Sequence, residues 1–93
     1  MQIILNDKTY VAAPVKARMF REAISISELI NFEKLKTKDL DSLVDFIVRF
    51  YGNAFTRDEF YDGLDGDKLM STLSESMNGI VGDVTEKLES KNG

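Results

Sequence analysis

Five carboxylates fall between positions 58 and 67: Asp58, Glu59, Asp62, Asp65 and Asp67. Carboxylates at such density raise the question of calcium, which takes six to eight oxygen ligands. An EF-hand loop opening at Asp58 would put Gly63 at the sixth position, where a sharp turn is needed. It would also put Phe60 third and Leu69 twelfth, where a side-chain oxygen and a bidentate Glu are required. A loop opening at Asp65 ends on Ser76. Acids placed at helix starts, where they complement the positive end of the helix dipole, account for these residues better, so no metal site is expected.

Other chemistries lack their parts. The chain has no His and no Cys, which removes the commonest general base, the commonest metal ligand and any thiolate. Ser25, Ser27, Ser42, Ser71, Ser74, Ser76 and Ser90 therefore have no imidazole to activate them. Nothing in the pattern sets the carboxylates in an apolar pocket beside an oxyanion hole or a nucleophile. Gly63-Leu64-Asp65-Gly66 is not followed by the Lys-Ser/Thr of a phosphate loop. The expectation is a protein that is not an enzyme and takes no cofactor. Net charge is -4, an acidic balance that disfavours nucleic acid. A DNA-reading helix-turn-helix over Asp45–Leu64 would offer RDEFYDGL to the groove, where Arg, Lys, Asn or Gln is wanted.

What remains is binding, and the richest material for it lies in Asp45–Leu64, where six of twenty residues are aromatic. Phe46, Phe50, Phe55 and Phe60 read first as core. Tyr51 and Tyr61 fit either core or the rim of a groove, where a ring with a polar tip is adaptable. Met19, Met70 and Met77 suit such a rim through their polarizable, flexible side chains. The partner-binding set is accordingly Tyr51, Tyr61, Phe55, Met19, Met70 and Met77.

The elements that must hold these residues can be read in order. Ile3-Ile4-Leu5 and Thr9-Tyr10-Val11 flank the turn residues Asn6-Asp7-Lys8, a hairpin over residues 2–12. A lone hairpin is marginal in water, so it must lean on helices or pair with another chain. Pro14 closes the strand region. Met19, Phe20, Ala23, Ile24, Ile26, Leu29 and Ile30 give a helical stripe within 15–32, with a candidate break at Ser25-Ile26-Ser27 and Ser27 as the restarting cap. After a polar connector, Thr37 or Asp39 caps a second helix to Tyr51, with Leu40, Leu43, Val44, Ile47 and Phe50 on its apolar face. Gly52 ends it in the left-handed conformation.

A third, short helix is announced by Thr56 and Glu59 as a capping box and by Phe55 and Phe60 at staple spacing. Loss of such a cap costs about 1 kcal/mol. Gly63 closes that helix. Leu69, Leu73, Met77, Ile80, Val84 and Leu88 give a long fourth helix, expected to end, bend or fray at Gly79 and Gly82.

Ninety-three residues support one domain. The fold class expected is α+β, mainly α: an N-terminal β-hairpin followed by about four helices, one domain over 1–88 and a disordered tail over 89–93. No apolar run approaches a membrane span, and MQIILNDK turns polar too soon for a signal peptide. Absence of Cys is compatible with a reducing cytosol. Residues 1–38 carry seven Lys/Arg and four Asp/Glu, whereas 39–93 carry five and twelve. This polarity would suit head-to-tail self-association, but chance segregation on solvated faces explains it more simply.

The run FIVRFYGNAFTRDEFYDGL resembles a stretch of the tail assembly chaperones of long-tailed bacteriophages and prophages of Gram-positive bacteria. The matching residues are Gly52, Asn53, Phe55, Thr56, Asp58, Tyr61, Asp62, Gly63 and Leu64, with Tyr51 where Phe is usual. The opening IILNDKTYVAAPVKARMFREAISI is similar too, with Lys16, Arg18, Arg21 and Ala23 in register; together these cover about residues 2–64. The resemblance implies a chaperone, acting in the host cytoplasm, that binds the long apolar helical tape measure protein and hands it to tail tube subunits. It also implies self-association and contact with tail tube protein, the latter through a frameshifted longer form. The alternative is a structural head–tail or tail-completion protein retained in the virion.

Overall fold

The computed structural model describes residues 1–92, with side chains described for 1–81. An antiparallel hairpin, β1 (Gln2–Leu5) and β2 (Lys8–Val11), precedes α1 (Ala17–Leu29), α2 (Thr37–Phe50), α3 (Arg57–Gly63), a 3-10 turn (Gly66–Lys68) and α4 (Leu69–Asn92). The fold is α+β and mainly α, as its sequence pattern indicates.

The hairpin is joined by two residues only. Asn6 and Asp7 both take left-handed backbone angles, φ 49° and 66°. That is the mirror-image turn whose twist matches the strands, and Asn and Asp are the residue types that best tolerate it. Lys8, expected in the turn, belongs to β2 and pairs with Leu5. Alternation puts Ile3 and Leu5 into the core and leaves Ile4 and Val11 exposed. Three contacts dock the hairpin on the helices. The Tyr10 ring meets Phe55 edge-on at 4.9 Å. The Asn6 N–H donates to the Gly63 carbonyl at 3.2 Å. A Cβ on Gly63 would stand 3.0 Å from the Leu5 Cβ and 3.3 Å from the Asn6 nitrogen. Gly63 therefore serves chiefly as the point of close approach between α3 and β1.

One core cluster runs from Ile3 to Ile80, with Phe46, Phe60, Leu43, Ile47 and Leu73 fully enclosed. Most of it comes from α2, which buries Leu43, Val44, Phe46, Ile47, Val48 and Phe50. Burying each such side chain contributes roughly 1.5–3 kcal/mol, so α2 is the beam of the core, with α3 and α4 packed against it, while α1 packs chiefly on α4 and β1 on α3. By contrast α1 fully buries only Ala23 and leaves Ile24 and Leu29 exposed.

Three local expectations change. The helix does not break at Ser25-Ile26-Ser27. Ser27 sits inside α1, and its hydroxyl donates to the Ala23 carbonyl at 2.9 Å, one turn back, instead of capping a restart. Neither Thr37 nor Asp39 caps α2; its N-cap is Lys36, with no side-chain cap, and Asp39 lies in the first turn facing the dipole. Nor does α4 end at Gly79, since it continues as one helix to Asn92. There a Cβ would lie 1.7 Å from the Met1 Cε, so Gly79 makes room for the Met1 side chain. The disordered tail expected over 89–93 lies outside the residues whose side chains are described.

Candidate functional site

The bend between α2 and α3 is built by local chemistry. Gly52 (φ 69°) and Asn53 (φ 58°) take left-handed angles. The Asn53 N–H donates to the Val48 carbonyl at 3.0 Å, and the Gly52 N–H donates to Arg49 at 3.0 Å. This nested pair is the Schellman arrangement that satisfies the last carbonyls of a helix. Four residues on, the Thr56 hydroxyl accepts from the Glu59 N–H at 3.1 Å while a Glu59 carboxylate oxygen accepts from the Thr56 N–H at 3.0 Å. Phe55 and Phe60 stack at 6.3 Å across the start of α3, completing the staple.

Across that bend, α2 offers a polar row spaced one turn apart: Asp41, Asp45 and Arg49. Arg57 of α3 donates to Asp45 through Nε at 2.8 Å and Nη2 at 2.6 Å, a two-pronged pair. Its Nη1 lies 3.8 Å from Asp41. The Tyr61 hydroxyl donates to Asp41 at 2.6 Å. Arg49 points the other way, to Glu22 of α1 at 2.7 Å. The Arg57 hydrogen bonds hold the Asp45 carboxyl below its usual range, and the same bonds raise Arg57. Burial, then the hydrogen bond to Asp41, pushes the Tyr61 phenol up; burial alone raises Tyr51. Residues that sequence periodicity puts outside the apolar stripe of α2 are thus its ties to both neighbouring helices.

An apolar depression with charged walls lies where α1 begins and α2 ends. A cleft of about 290 Å³ is floored by Ala13, Pro14, Met19 and Phe50 and edged by Lys16, Arg18, Glu22 and Arg49. A second depression, of about 290 Å³, opens on the other side of the connector and shares Ala13, Pro14 and Phe50. Ala12, Ala13 and Pro14 therefore form a strap of small and cyclic side chains beside Phe50. Pro14 explains why this strap is not helical: α1 begins only at Ala17.

The six residues singled out for partner binding do not share one surface. Met19 lines the cleft just described. Tyr51, at 4 % exposure, and Phe55, at 2 %, are core residues whose rings lie 5.5 Å apart, and Met77 is buried at 6 %. They are enclosed to the same degree as Phe50, and Tyr51 lines a separate depression with Met1, Ile4 and Leu64. Tyr61 is half-buried with its hydroxyl committed to Asp41. Met70, at 46 %, is exposed near the start of α4. Phe50, Lys16, Arg18 and Arg49 were absent from that set. The available signal was Pro14 after two alanines, followed directly by basic residues at 16 and 18.

Among the described residues no group of three or more carboxylates is placed to hold a metal ion. No helix among them is long and apolar enough to cross a membrane.

A family model described as phage tail chaperone protein matches residues 2–93. The chain belongs to the phage tail chaperone family. The match takes in α4 as well as the 2–64 region that carries the sequence signature. No curated protein and no solved structure matches the chain. For this tail chaperone, then, the bend signature has a definite structural meaning: it fixes how α3 and the hairpin attach to α2. The cleft over Phe50 lies at the end of the same beam.

Proposed function

We propose that this tail chaperone holds an apolar helix of the tape measure protein over Met19 and Phe50 and releases it to tail tube subunits as the tube polymerises. The observation that carries this reading is the cleft itself, an apolar floor edged by charged side chains. Docking follows the helix-in-groove mode, in which apolar side chains at helical spacing enter a hydrophobic depression. A cleft this small anchors only one or two side chains per site. Affinity per site is modest, and release needs competition from tube protein and no catalysis. Several copies along one tape measure chain then act together, so self-association of the domain over 1–88 is part of the reading. The host cytoplasm, where tails assemble, is the compartment in which this takes place, and a frameshifted longer form would supply the contact with tail tube protein. Tyr61 and Met70 extend the contact surface beyond the cleft.

The test is co-expression with tape measure protein followed by affinity capture. Wild-type chaperone is expected to retain the tape measure protein, and Met19→Asp, with unchanged far-ultraviolet circular dichroism, to lose most of it. Capture undiminished by that substitution would move the site elsewhere. Mass spectrometry of purified virions adds a second check, since a chaperone leaves the particle and a structural component stays.

A further inference from the structure

The charges around the cleft specify more than an apolar guest. Glu22 is engaged by Arg49 at 2.7 Å. Among the described residues no carboxylate pairs with Lys16 or Arg18. Both stand at the N-terminal end of α1, Lys16 as its N-cap and Arg18 in its first turn, where no acidic residue is present. Cations there oppose the helix dipole, which favours anions at that end. Lys16 makes no side-chain cap either. Neither charge is explained by folding, and both border a cleft in a protein whose net charge is -4.

We infer that the cleft selects an amphipathic helix whose apolar anchor is flanked by carboxylates, an acidic-edged segment of the partner. This rests on the tape measure reading and names the chemistry of the segment bound. The anchor side chain covers Met19 and Phe50, and Asp or Glu one turn away on the guest meets Lys16 and Arg18. Surface pairs of this kind add little affinity each but strongly bias choice between guests of opposite charge. They also leave the contact easy to release, because salt and competing subunits screen or replace them.

The experiment uses the full chain and two synthetic helical peptides with the same leucine seam, one edged with Glu and one with Lys, read by fluorescence anisotropy. The Glu-edged peptide is expected to bind about tenfold more tightly at low salt. That preference should shrink as salt rises past about 0.15 M. Lys16→Glu with Arg18→Glu should reverse the order of preference. The double variant places acids where the α1 dipole favours them, so folding is not at risk, and circular dichroism checks this. Equal binding of both peptides by the wild type overturns the charge selection but leaves the apolar cleft reading intact. Binding of neither peptide overturns both. Self-association of the wild type that the double variant abolishes, with peptide binding unaffected, assigns the cleft to a second copy of the chain and also overturns the inference.

Discussion

Replacement of Gly63 by Ala tests how the hairpin is held. In an exposed helix the change is favourable, because Gly costs about 0.5–1 kcal/mol relative to Ala. At Gly63 the added methyl would stand 3.0 Å from the Leu5 Cβ, 3.3 Å from the Asn6 nitrogen and 3.4 Å from the Leu5 Cα. None of these atoms is the free end of a flexible side chain; all belong to β1 and its turn. Leu5 is 3 % exposed, so the strand cannot retreat without opening the core. It must also keep the 3.2 Å hydrogen bond from Asn6 to the Gly63 carbonyl. Overpacking of this kind costs about 1–3 kcal/mol. Set against the propensity gain, Gly63→Ala should destabilise by about 1 kcal/mol.

In a domain of this size that is a fall of about 4–8 °C in Tm. The urea midpoint should drop by about 0.5–1 M. Gly66→Ala is the control: nothing lies within 4 Å of the Cβ it would add. It should change stability by no more than about 0.5 kcal/mol. A Gly63→Ala protein as stable as wild type, or more so, would refute the close docking of β1 on α3. Separate losses of hairpin and helix signals would refute the single core.

Three further outcomes are expected. Thr56→Ala with Glu59→Ala removes both halves of the cap and should lower stability by about 1–2 kcal/mol in urea denaturation; an unchanged midpoint would contradict the capping role. Asp45 has a folded-state pKa below its ordinary value of 3.8 because Arg57 hydrogen-bonds it. Its contribution is therefore present above that value and lost as pH falls through the folded one. Asp45→Asn should flatten the acid limb of the stability–pH curve, and the effect should be small because both side chains stand largely in water. Tyr61 is shifted upward from 10.0, so the folded chain keeps that proton after the unfolded chain has lost it, and stability falls as pH rises beyond 10.0. Tyr61→Phe should soften that alkaline loss, read by denaturation at stepped pH.

The signals that survive the passage from sequence to structure are those contained within a few residues. Asn6-Asp7 fixes its own turn, Gly52-Asn53 ends α2, and Thr56 with Glu59 opens α3. In each case the conformational preference and the hydrogen-bond partner lie in the same short segment. The apolar stripe of α2 is equally plain, because helical periodicity alone decides which face is buried. The aromatic bend and the matching signature overlap at Gly52, Asn53, Phe55 and Thr56, which are turn, staple and cap residues.

Where a residue's role depends on a distant neighbour, the sequence is silent or misleading. Ser27 suggests a cap and instead bonds one turn back inside a helix that tertiary packing keeps continuous. Gly79 suggests a helix end, but it clears space for Met1. Tyr51, Phe55 and Met77 have the types of a binding rim, yet all three are buried in the core. Asp45 and Arg49 look merely solvated until α3 and α1 bring Arg57 and Glu22 to them. The sequence by itself determined most of the elements and their boundaries at the bend, because these follow from backbone preference and periodicity, whereas the tail chaperone family rests on likeness to the family model over residues 2–93. Only the tertiary structure decided which apolar residues are exposed and where Lys16, Arg18, Met19 and Phe50 meet, because a cleft is a relation between chain segments that no local pattern encodes.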